Sequence, residues 1–145
     1  MGLAIDIADA VAAELNGAPA GTFPSAFTAV RRVLPAFDLA DLADLKVSVV
    51  PKRIEITGST RSASQYEIAV DIGVQKKLGK DLDSEVQALG TLVDSIADYL
   101  RRRPLGQASF AAWAGIANDP VYAPEHLAEQ RVFTSVLTVS YRSVR

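Results

Sequence analysis

Residues 46–75 constrain this chain more than any other stretch. Val47 and Val49 alternate with Lys46 and Ser48, and Ile54 and Ile56 alternate with Arg53, Glu55 and Thr57. A polar, small-residue segment follows, Gly58-Ser59-Thr60-Arg61-Ser62-Ala63-Ser64. Beyond it Tyr66, Ile68, Val70, Ile72 and Val74 share one face, and Glu67, Ala69, Asp71, Gly73 and Gln75 share the other. A period of two belongs to a strand, where successive side chains point to opposite faces. Two such runs joined by a Gly/Ser-rich loop predict a prominent β-hairpin, with Pro51 breaking its first strand.

The next signal has a different period. Leu82, Val86, Leu89, Val93, Ile96 and Leu100 step by four and three residues, and Leu92 and Tyr99 widen the stripe. That is one face of a long helix. Asp81, Asp83 and Glu85 suit its positive N-terminal end and Arg101, Arg102 and Arg103 its negative end, with Pro104 and Gly106 as stops. A shorter amphipathic helix is expected from Leu3, Ile7, Val11 and Leu15, ending at Asn16-Gly17. Gly17 to Ser25 reads as loop.

The remaining segments are plainer. Phe27 to Leu34 reads as a strand ended by Pro35, and the Asp-Leu steps of Asp38 to Leu45 read as a turn or short 3₁₀ segment. Phe110, Trp113 and Ile116 stand at helical spacing, so Ser109 to Asp119 reads as a short helix or an irregular insertion. Val121 to Glu129 reads as loop with one helical turn after Pro124. Phe133, Leu137, Val139 and Tyr141 alternate with Thr134, Val136, Thr138, Ser140 and Arg142, a β-branched C-terminal strand. The expected fold is a single α+β domain over residues 1–145: a mostly antiparallel sheet packed against one long helix plus a short N-terminal helix.

Composition narrows the function classes. Hydrophobic residues make up 49% of the 145 and charged residues 22%, the balance of a chain with a real core. Net charge is −2, the opposite of the Lys/Arg surplus by which nucleic-acid binders hold phosphates. There is no cysteine, so disulfides, thiol catalysis and thiolate metal sites are excluded. The first basic residue is Arg31, and no apolar run approaches the ~20 residues that cross a bilayer. The expectation is a soluble protein of the cytoplasm with no membrane partner.

Catalytic patterns are missing from the sequence. His126 is the sole histidine, stands near Pro124 and Glu125, and has no Gly-x-Ser-x-Gly elbow to serve. The glycine at position 58 opens no phosphate cradle, because a strand rather than a helix follows it. Glu67 and Asp71 share a strand face without the enclosed setting that acid–base chemistry needs. The basic clusters Arg31-Arg32, Lys52-Arg53, Lys76-Lys77 and Arg101 to Arg103 form no single stripe with interleaved aromatics. No cofactor, metal or catalytic group is expected. A pocket framed by Phe110, Trp113 and Tyr122 is the ligand-binding alternative, and a nucleic-acid accessory factor is a third.

Several stretches carry a resemblance: Val47-Ser48-Val49-Val50-Pro51-Lys52, Thr60-Arg61-Ser62, Tyr66-Glu67-Ile68, Asp71 to Lys77, and the C-terminal run from Phe133 to Arg142. In that order, over about residues 26–142, they resemble the tail terminator (tail completion) proteins of long-tailed phages, with head–tail joining proteins as architectural relatives. The resemblance implies a non-enzymatic virion subunit forming a hexameric ring on the tail tube. Such a ring stops tube growth, meets the head–tail connector protein and lets genomic DNA pass without specific recognition. It implies residence in the host cytoplasm during assembly and then in the virion. On this reading the hairpin loop Gly58, Ser59, Thr60, Arg61, Ser62 and Ser64, with Arg53 beside it, contacts a neighbouring subunit or the tube.

Overall fold

A computed structural model describes residues 2–33, 41–58 and 60–144. It is an α+β fold in which a five-stranded mixed sheet carries three helices. In chain order these are α1 (Leu3–Asn16), β1 (Ala29–Arg31), a 3₁₀ turn (Asp41–Ala43), β2 (Lys46–Gly58), β3 (Ser64–Lys77), α2 (Leu82–Leu100), β4 (Ala112–Asn118), α3 (Pro124–Gln130) and β5 (Val132–Val144). The strands stand in the order β1-β2-β3-β5-β4. β1 runs parallel to β2, and the other three pairings are antiparallel.

Alternation along β3 and β5 builds the core. Ile68, Val70, Ile72 and Val74 point to one face beside Tyr141, Val139, Leu137 and Ser135 of β5. Ile7, Val11 and Leu15 of α1 and Leu89, Leu92, Val93, Ile96 and Leu100 of α2 join the apolar members of that face in one buried cluster. Each large aliphatic so buried is worth about 1.5–3 kcal/mol. The opposite sheet face carries Ser48, Ala69, Asp71, Gly73, Thr138 and Ser140 together with Val50 and Val136, and none of these belongs to that cluster. Ala69 and Ser48 are still buried.

Local chemistry fixes the helix ends. Asp81 caps α2 by accepting from the Ser84 amide at 3.3 Å, and the Glu85 carboxylate accepts from the Gly79 amide at 2.8 Å. At the other end Arg103 Nε donates to the Tyr99 carbonyl at 2.8 Å, with its guanidinium 3.8 Å from the Tyr99 ring centroid. α1 stops where a Cβ on Gly17 would stand 3.2 Å from the Ala13 carbonyl. Asn16 then pairs its amide side chain with both backbone groups of Ala29, donating to the carbonyl and accepting from the N–H at 2.8 Å each. These two hydrogen bonds tie the end of α1 to the first residue of β1, and Arg31 adds an ion pair with Asp9 at 2.9 Å.

Four expectations are corrected. The segment read as helix or irregular insertion is the edge strand β4. Its ladder slips at Ala114, so Trp113 and Ile116 reach the same face three residues apart, which imitates helical spacing. Pro51 does not break β2; it pairs with Val70, and the irregularity falls at Lys52, beyond the stretch of β2 that β1 covers, where among the described residues a proline has no outward partner to donate to. The strand expected over Phe27 to Leu34 is only the three residues of β1, and being parallel to β2 it makes the sheet mixed. Among the described residues the helices number three: α1 is 14 residues, and the single turn expected after Pro124 extends to the seven-residue α3. The 3₁₀ turn falls within the Asp-Leu repeat, while Pro35 and residues 38–40 lie outside the described residues.

Candidate functional site

The β2–β3 hairpin is longer than the core beneath it. The ladder continues from Arg53↔Ala69 through Ile54↔Ile68, Glu55↔Glu67, Ile56↔Tyr66 and Thr57↔Gln65 to Gly58↔Ser64. Along this arm every β2 residue from Arg53 to Gly58 is exposed, whereas Val47, Ser48 and Val49 below are buried. β5 accompanies β3 to the end of the arm, with Tyr66↔Ser143 and Gln65↔Val144. Ile54, Ile56 and Val144 are large apolar side chains left exposed there, at 40%, 57% and 62%.

The outer face of the arm is laced with charge. Lys52, at the ladder irregularity, reaches Asp71 at 3.7 Å, and Thr138 Oγ1 donates to the same carboxylate at 2.6 Å. Four residues further out along β3, Arg142 pairs with Glu67 at 3.4 Å, while Glu55 stands directly across from Glu67 on the other side. Exposed pairs of this kind are worth about 0–1 kcal/mol and chiefly fix orientation.

The residues named from sequence fall as follows. Arg53 is exposed on the outer face, and Arg61 and Ser62 are exposed in the loop. Among the described residues neither Arg53 nor Arg61 makes an ion pair. Gly58 and Ser64 are the last ladder pair rather than loop, so the connection shortens to 59–63, where the Thr60 amide donates to the Ala63 carbonyl at 3.1 Å. Ser59 lies outside the described residues. Arg53 and Arg61 thus belong to one projecting element. Sequence reasoning named Ile54 and Ile56 only as the apolar half of an alternation; the alternation holds, but among the described residues that end of the face stays exposed.

The aromatic pocket does not assemble as expected. Trp113 lines a depression with Arg102, Arg103, Pro104 and Ser109, without Phe110 or Tyr122. Tyr122 stands beyond the far end of β4, next to Ala123, whose amide donates to the Thr134 carbonyl. His126 Nδ1 lies 2.8 Å from Thr134 Oγ1, a contact within the fold. Among the described residues no three His, Cys, Asp or Glu side chains are grouped to hold a metal ion, and no helix is long and apolar enough to cross a membrane.

No protein-family model matches the chain, and no curated protein matches it.

Proposed function

We propose that this chain is a virion structural subunit, a tail terminator whose copies form a ring on the tail tube and offer the surface on which the head–tail connector docks. The observation that carries the reading is the projecting arm: a ladder that outruns its own core and exposes Ile54 and Ile56 beside Arg53 and Arg61. A monomer gains little from such an element, whereas a subunit uses it to reach a neighbour. In fold terms the reading takes the antiparallel ladder β2-β3-β5-β4 on the long helix α2 as the basic unit, with β1 as an added parallel edge. The acidic balance suits a ring through which DNA slides without sticking, and the subunit enters the virion from the host cytoplasm.

The test has two arms. Particles assembled without this chain should carry overlong tails in electron micrographs; normal-length tails beside filled heads would instead indicate a head–tail joining protein. Charge reversal, Arg53→Glu with Arg61→Glu, should lower tail-capped particles at least tenfold while the isolated chain keeps its circular dichroism and melting temperature. Unchanged capping would remove these two residues from the contact.

A further inference from the structure

The sheet ends in two unlike edges, and the ladder register relates them. Ile54 pairs with Ile68, Ile68 with Tyr141, and Tyr141 with Trp113. One step on, Glu55 pairs with Glu67, Glu67 with Arg142, and Arg142 with Ala112. Both rows therefore cross the whole sheet, from the arm of β2 to β4.

Among the described residues each end of these rows is open. β1 covers β2 only over Val47 to Val49, with the Arg32 amide adding one bond to the Val49 carbonyl. Among the described residues no strand pairs with the outward side of β2 from Lys52 to Gly58, nor with the outward side of β4. Monomeric sheets guard such edges with charge, proline or a covering segment. β4 reads Ala-Trp-Ala-Gly-Ile-Ala-Asn, without a charge or a proline, so its row of N–H and C=O groups is an unguarded template. It is seven residues long, the length of the stretch Lys52 to Gly58.

Direction and face agree as well. β2 and β5 run one way, β3 and β4 the other. Copies repeated about an axis roughly along the strands therefore bring β4 of one antiparallel to β2 of the next, the geometry of the stronger ladder. Ile54 and Ile56 lie on the helix-bearing face, as do Trp113 and Ile116, so an extended sheet sets apolar beside apolar. We propose that a second copy of this chain lays its arm, Lys52 to Gly58, antiparallel along β4 of the first, with Ile54 level with Trp113. The two surfaces differ, so the contact repeats from copy to copy and either closes or keeps growing. The proposal rests on the ring reading above for closure and supplies the surface by which the ring is built.

The chain has no cysteine, so an introduced pair reports without background. Glu55 and Ala112 end the same row on the outer face. The double variant Glu55→Cys, Ala112→Cys, oxidised or bridged by a short bis-maleimide at the highest soluble concentration, should give a ladder of covalent multimers. Either single variant should give at least tenfold less, as should Glu55→Cys with Ala117→Cys, further along β4. A maximum at Arg53→Cys or Thr57→Cys with Ala112→Cys supports the same pairing shifted by two residues. Dimers from a single variant would mean that one surface meets itself, and they overturn the proposal. No multimer from any of these pairs with Ala112→Cys overturns it too. If rings are seen in micrographs while no link forms, the surface is wrong and the ring reading stands. A ladder together with normal-length tails in particles lacking the chain keeps the strand pairing and removes the terminator.

Discussion

Among the described residues Tyr141 is the largest side chain wholly buried in the core, and its hydroxyl meets no hydrogen-bond partner. Burial first, and then the charge of Glu14, hold its phenol well above the ordinary value of 10.0. The native state keeps the proton that an unfolded chain releases near pH 10. The stability this confers is complete below about pH 10 and is lost as pH rises toward the native value, at ~1.4 kcal/mol per pH unit. Tyr141→Phe should leave stability at pH 8 within about 1 kcal/mol of the parent or raise it, since no bond is lost. It should also flatten the alkaline decline; urea midpoints at pH 8 and pH 10.5 check both. The position of Tyr141 on the buried face was legible from alternation alone. The unpartnered hydroxyl was not, because it depends on what α1 brings near it. Asn16 is similar: its place at the helix end could be read, but its two bonds to Ala29 span a loop whose path the sequence leaves open.

Elements differ in how plainly they announce themselves. α2 was legible because five of its stripe residues, Leu89, Leu92, Val93, Ile96 and Leu100, are buried in the same cluster. Ile96→Ala should cost about 2–5 kcal/mol by chemical denaturation, transfer and cavity terms together, without changing the helix ends. β3 and β5 were legible from their period, and β5 simply runs on to Val144. β4 was hidden by the ladder slip at Ala114, which breaks the period of two that identifies a strand. β1 was overestimated because three residues of ladder carry too little pattern to delimit. Pro51 misled for a topological reason: whether a proline interrupts a strand depends on which side faces a partner, and that belongs to the sheet, not to the dipeptide.

At the scale of the whole molecule, one core serves a sheet longer than the core is wide. The layering was legible, since apolar stripes on two helices and on alternating strand positions demand each other. The projecting arm was legible as a hairpin but not as a projection, because alternation gives Ile54 and Ile56 a shared face, while only the packed fold reveals that among the described residues both stay exposed. This same overhang divides a single strand into two dynamic regimes. Amides of β2 at Val47 and Val49, locked beneath α1, should exchange with deuterium only through global opening, while those from Ile54 to Thr57 should exchange through local fraying, at least a hundredfold faster in the isolated chain. Hydrogen-exchange mass spectrometry on overlapping peptides resolves the boundary, expected at Lys52. Uniform protection from Lys46 to Gly58 would mean that the arm is as cohesive as the core. In the ring proposed above, such a boundary would keep each body rigid and leave its tip compliant, so that small angular errors between copies are taken up in the arm.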